Sequence, residues 1–137
     1  MKVDSLMTRN LVTVELDDTL RTVREIFSHA KFHHLLVVEE GRLYGVISDR
    51  DLLKAISPRI ATASETEKDR ATLNKKVHQI MTRKPVVVKP VDSIHDAIEL
   101  INNHGVSCLP VVDDDNRPVG VLTWRDIFRA LGAIKAG

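Results

Sequence analysis

The apolar and polar positions of this chain follow one order, written twice. A brief helical pattern opens each copy, with Val3 and Leu6 in the first and Leu73, Val77 and Ile80 in the second. Short extended stretches follow, LVTV at 11–14 and PVVV at 85–88, where β-branched residues dominate. Asp18 and Asp92 each stand just before a helical run, a position that favours an N-cap. In those runs Leu20, Val23, Ile26, Phe27 and Ala30 recur on one face, as do Ile94, Ala97, Ile98 and Ile101. Two apolar strands joined by a turn come next, LLVVEEGRLYGVI at 35–47 and LPVVDDDNRPVGVL at 109–122. DRDLLKAI and RDIFRAL read as the closing helices.

The register between the copies can be written residue by residue. At an offset of 74, Val3 aligns with Val77, Met7 with Met81, Thr8 with Thr82, Val14 with Val88 and Val37 with Val111. Past the turn the offset is 75, aligning Gly45 with Gly120, Arg50 with Arg125 and Asp51 with Asp126. The extra residue falls in the turn, where insertions are tolerated. Between the copies, SPRIATASETEKDRATLNKK begins as a loop at Pro58. Ser64, with Glu67 three later, predicts a helix cap, and a charged exposed helix then runs toward Val77 and Ile80. The pattern divides the chain into repeat 1 at 1–56, a charged linker and helix at 57–76, and repeat 2 at 77–134. One such sheet cannot cover its own apolar faces, because LLVV and LPVV are apolar in succession. The expected class is α/β (α+β): two pseudo-symmetric repeats, each a small sheet with flanking helices, packed sheet to sheet with two clefts between them.

Composition narrows the classes. Of 137 residues, 28% are charged and 43% hydrophobic, values ordinary for a globular chain. A net charge of +1 gives no field toward nucleic acid or membrane. Aromatics at 4% argue against a base-stacking platform. No apolar run reaches the roughly 18 residues of a membrane span, and no signal-peptide core opens the chain, which reads as complete. The one cysteine, Cys108, reads as a buried small hydrophobe and suits a reducing, cytoplasmic setting.

Candidate chemistry is sparse. GVISDRDLL at 45–53 and GVLTWRDIF at 120–128 each place a hydroxyl residue three before an aspartate, Ser48 with Asp51 and Thr123 with Asp126. That spacing fits an N-terminal cap, and duplicated folds duplicate their caps. His29 and His33 are four apart, but His33 leads into a strand, so helical metal-ligand spacing fails and no metal is expected. Lys31, Arg83 and Lys84 read as solvated or phosphate-facing. No nucleophile elbow is present, and no catalysis is expected.

The segments MTRN and MTRKPVVV, HHLLVVEEGRLYGVISDRDLL and VSCLPVVDDDNRPVGVLTWRDI resemble two cystathionine-β-synthase (CBS) domains in tandem, a Bateman module. The resemblance implies a stand-alone regulatory module holding AMP, ADP or ATP, with S-adenosylmethionine as another candidate and no cofactor. It also implies a homodimer and an unidentified regulated protein partner. Asp51 and Asp126 would each take a ribose diol, since an ionised carboxylate only accepts and the two hydroxyls donate. Ser48 and Thr123 would reach the sugar or α-phosphate, and Arg50 and Arg125 the phosphates. By the same analogy, cleft A adds Thr82, Pro85, Val87, Val106 and Ser107 to Ser48, Arg50 and Asp51. Cleft B adds Thr8, Leu11, Thr13, Phe32 and His33 to Thr123, Arg125 and Asp126. Val87, Val106, Leu11 and Phe32 fit plain core equally well. Ser107 against His33, Pro85 against Leu11 and Asp49 against Trp124 make the clefts unequal and predict different affinities. Two other readings stay open: a ligand-free dimerisation or docking module with vestigial clefts, and a nucleic-acid accessory protein, which the neutral charge disfavours.

Overall fold

The structure, a computed structural model, describes residues 1–29 and 32–136; Ala30 and Lys31, read above as a helix-face and a solvated position, lie outside the described residues. In chain order the elements are α1 (Val3–Leu6), β1 (Thr13–Glu15), α2 (Leu20–His29), β2 (His34–Glu39), β3 (Arg42–Ser48), α3 (Asp49–Ala55) and α4 (Glu67–Ala71). After a 3-10 turn at Thr72–Asn74 come α5 (Val77–Ile80), β4 (Thr82–Arg83), α6 (Ile94–His104), β5 (Cys108–Val112), β6 (Pro118–Thr123) and α7 (Trp124–Ala136). The fold is the expected mixed α and β class, with two small sheets among the described residues and flanking helices.

Two compact units divide these elements. One comprises Val12–Glu40 and Tyr44–Lys84. Its sheet runs β1-β2-β3-β4. β1 lies parallel to β2 with Val14 opposite Val37, and β4 lies antiparallel to β3 with Thr82 opposite Val46. Its core is Val14, Leu20, Val23, Leu35, Val37, Ile47, Leu52, Val77 and Met81. Full burial of one such aliphatic side chain contributes about 1.5–3 kcal/mol. α5 opens the second sequence copy, yet it belongs to this core. Backbone bonds from Leu20 N–H to the Lys75 carbonyl and from Val77 N–H to the Asp18 carbonyl hold it beside the start of α2.

The other unit comprises Met1–Leu11, Gly41–Leu43 and Pro85–Gly137. It repeats the arrangement with α1 in the place of α5. Val3 N–H donates to the Asp92 carbonyl and Ile94 N–H to the Met1 carbonyl. β5 and β6 pair antiparallel, Val88 bridges in parallel to Val111, and Thr8 bridges to Val121. Val3, Met7, Val88, Ala97, Ile101, Leu109, Val111, Leu122 and Ile127 form its core. Each copy therefore lends its opening helix and methionine to the sheet of the other.

Two glycines permit that exchange. A Cβ on Gly45 would lie 2.6 Å from Met81 Sδ and 2.7 Å from the Thr82 carbonyl oxygen. On Gly120 it would lie 2.6 Å from Met7 Sδ and 3.1 Å from the Thr8 carbonyl oxygen. These glycines are kept for close approach. The turn between β2 and β3 is Glu40-Gly41, with φ of 52° and 78°, the left-handed pair of a tight hairpin.

Four local expectations are corrected. Asp18 and Asp92 do not cap α2 and α6. Each carboxylate accepts from the backbone three residues back, Glu15 N–H and Lys89 N–H, closing a turn at 2.7 and 2.8 Å. Ser93 caps α6 instead, accepting from Asp96 N–H. In the linker the cap is Thr66 with Asp69, not Ser64 with Glu67. The charged helix is one short α4, because the chain tightens at Thr72–Asn74 to bury Leu73. Of PVVV, Val88 alone pairs as a strand residue, through its bridge to Val111.

Candidate functional site

β3 ends at Ser48, whose backbone is extended (φ −100°, ψ 164°), and α3 begins at once. Ser48 Oγ accepts from Asp51 N–H at 3.0 Å, and Asp51 Oδ2 accepts from Ser48 N–H at 2.9 Å. This reciprocal pair is a capping box, so the capping reading of the motif holds. It uses one carboxylate oxygen. Among the described residues no hydrogen bond reaches Asp51 Oδ1, and the side chain is half-buried. Arg50 is exposed beside it. Thr82, on β4 opposite Val46, is exposed, and its hydroxyl makes no hydrogen bond among the described residues.

The second helix start repeats the cap and adds to it. Thr123 N–H donates to Asp126 Oδ2 at 3.0 Å, and Asp126 N–H donates back to Thr123 Oγ1 at 3.3 Å. Thr123 Oγ1 also donates to Asp126 Oδ2 at 3.1 Å. The remaining oxygen, Oδ1, accepts from Thr8 Oγ1 at 3.1 Å. Thr8 is held there by paired backbone bonds with Val121 at 2.8 and 2.9 Å. Asp126 is 8% exposed, whereas Arg125 is exposed. Cys108 stands opposite Thr123. Burial, reinforced by the Asp126 charge, pushes its thiol up to about 12, so it stays protonated and apolar in behaviour.

Around Asp51 the flanking groups are ionisable. His33 Nδ1 lies 2.8 Å from Asp49 Oδ2, and Asp49 N–H donates to the His33 carbonyl. Burial would raise the Asp49 carboxyl. Hydrogen bonds from His33 and the Arg50 backbone, with the charges of His33 and His34, outweigh it and hold Asp49 below the ordinary value. His34 is lowered, chiefly by burial; Asp49 and Asp51 pull it up and His33 down. Sequence reasoning grouped His33 with Asp126 and missed its pairing with Asp49. The signal was the place of His33 at the entry to β2, where its carbonyl meets the first residue of α3. Arg83 Nη2 donates to the His78 carbonyl at 2.8 Å, so this guanidinium caps α5. Among the described residues no three His, Cys, Asp or Glu side chains gather as a metal site.

The remaining candidates are placed as follows. Pro85, Val87, Val106 and Ser107, read with Asp51, belong to the unit that holds Asp126. Leu11 shares the unit of Asp126, while Thr13, Phe32 and His33 belong with Asp51. Val106 and Phe32 are half-buried and pack on the cores of their own units. Leu11 and Val87 are half-buried, and Thr13 and Ser107 are exposed.

Two capped helix starts, each following a Gly-containing strand, are matched by the CBS domain family over residues 3–58 and 77–133. The chain belongs to the CBS domain family. A CBS domain-containing protein of Dictyostelium discoideum is 34% identical over 131 residues, covering 94% of this chain and 90% of its own length. CBSX2, a CBS-pair protein of Arabidopsis thaliana, superposes in its complex with AMP at a TM-score of 0.80, with 31% identity and 98% of each chain covered. Another CBS domain pair, solved with 5′-methylthioadenosine and S-adenosyl-L-methionine, gives a TM-score of 0.80 at 25% identity over 97% of each chain. In several further relatives the CBS pair is part of a longer chain, of which this sequence spans 23% to 46%. No described helix is long and apolar enough to cross a membrane.

Proposed function

We propose that this CBS pair is a ligand-sensing regulatory module for adenosine-containing ligands, without catalytic activity of its own. AMP, ADP and ATP are the primary candidates, and S-adenosylmethionine is the alternative. The carrying observation is the helix start at Asp51, where the cap consumes one carboxylate oxygen and leaves the other open to donors. A ribose supplies two such donors on adjacent carbons. Support comes from the AMP held by CBSX2, whose chain matches this one from end to end.

In this reading Asp51 and Asp126 accept the ribose hydroxyls, and Ser48, Thr123, Arg50 and Arg125 face the sugar and phosphates. Thr82, Pro85, Val87, Val106 and Ser107, with Leu11, Thr13, Phe32 and His33, complete the two ligand sets, and Thr8 lines the second through its bond to Asp126. The module acts in the cytoplasm as a homodimer, and a regulated protein reads its ligand state. A ligand shifts that state only by its differential affinity for the two forms. The carboxylate of Asp126, with both oxygens already engaged, favours one competing reading, a docking module that has lost its ligand.

Thermal-shift and calorimetric titrations with AMP, ATP and S-adenosylmethionine decide between the two. Saturable heat and a raised melting temperature with at least one of them are expected. No response to any would leave the docking module.

A further inference from the structure

The two carboxylates differ in what they still have to offer. An ionised carboxylate has about four acceptor positions. Asp51 has given up one of them, to Ser48 N–H. Asp126 has given up three, to Thr123 N–H, the Thr123 hydroxyl and the Thr8 hydroxyl. A diol brings two donors. It fits the open oxygen of Asp51 without breaking a bond, but at Asp126 a resident hydroxyl must leave first. Burial adds to the difference, since Asp126 is 8% exposed and Asp51 half-buried.

The Thr8 contact is peculiar to this half. Thr8 and Thr82 occupy matching places, opposite Val121 and Val46. Both follow a methionine seated on a glycine. Thr8 nevertheless bonds its aspartate, whereas the Thr82 hydroxyl makes no hydrogen bond among the described residues. Of the resident donors on Asp126, Thr123 belongs to the helix cap itself. Thr8 is the one that can leave without uncapping α7.

Resting on the proposed function, we propose that the two halves load in order: the Asp51 half takes the first adenosine ligand, and the Thr8 hydroxyl latches the Asp126 half until a second ligand displaces it. Thr8 is thus a specificity-determining residue that sets the gap between the two affinities.

The test is calorimetric titration of the full chain with AMP. Wild type should show one tight class of site and a second that is weaker or silent. Asp51→Asn should remove the tight class, and Asp126→Asn should leave it within about twofold. Thr8→Val, which removes the hydroxyl and keeps the shape, should strengthen the weaker class by about tenfold or make it appear, the scale of one hydrogen bond to a charged group. Thr8→Ser should restore the wild-type order. Loss of the tight class in Asp126→Asn, two equal classes in wild type, or an unchanged or weakened second class in Thr8→Val would each overturn the ordered loading while leaving nucleotide binding intact. The two aspartate variants read the order even if Thr8→Val does not fold. No heat in wild type with AMP, ATP or S-adenosylmethionine would overturn both readings together.

Discussion

Asp51 has two tasks that one substitution separates. Asn at position 51 keeps an oxygen that can accept from Ser48 N–H, so the cap survives, but it removes the charge that strengthens bonds to hydroxyls. Asp51→Asn is expected to melt within a few degrees of wild type and to bind AMP at least tenfold more weakly, one lost charge-assisted bond being worth about 1.5–3 kcal/mol. A large fall in melting temperature with unchanged affinity would make Asp51 a cap only. His34 carries a second prediction at this scale. Its folded pKa lies below the ordinary 6.5, chiefly through burial, so the unfolded chain binds the proton more readily. Stability is therefore lost as pH falls from about 6.5 toward the folded value, and Asp49 adds an acid-side loss only below its ordinary 3.8. Urea unfolding between pH 7.5 and 5.5 should show that decline, and His34→Gln should flatten it. The motif spacing made both aspartates legible in the sequence. Thr123 was legible by the same spacing and Thr8 was grouped with Asp126 through the family resemblance, but the direct bond between Thr8 and Asp126, 118 residues apart along the chain, was not.

At the scale of elements, the periodicities found most helices and strands, and the errors lie where short polar residues compete for the backbone. Asp18 and Asp92 precede helices and look like caps, yet an aspartate can also close a turn on the residue three before it. In the linker two overlapping Ser/Thr-x-x-acid pairs were available, Ser64–Glu67 and Thr66–Asp69. Thr66 wins, and Asp69 also accepts from Ser57 Oγ at 2.8 Å, which ties α4 to the start of the linker. The Gly45 and Gly120 positions give the sharpest element-scale prediction. Gly45→Ala should destabilise by about 1–3 kcal/mol, as overpacking does elsewhere. Trimming Met81 as well should not restore stability, because the Thr82 carbonyl oxygen would still stand 2.7 Å from the new carbon. Denaturant midpoints of the single and double variants check this.

For the molecule as a whole, duplication was plain in the sequence, but which core each opening helix joins was not. Self-similarity divides it by copy, whereas burial divides it by core, and α1 and α5 each join the core of the other copy. The reason is geometric. Met7 and Met81 seat on Gly120 and Gly45, and a match in periodicity cannot say which glycine belongs to which methionine. The family assignment fixes the fold, and the proposed function turns on whether the duplicated aspartates hold sugar. The most direct measurement is AMP titration of wild type against the double variant Asp51→Asn/Asp126→Asn, with melting curves of both. The account predicts saturable binding in wild type and none in a double variant that melts at nearly the same temperature. Undiminished AMP affinity in a folded double variant would contradict it.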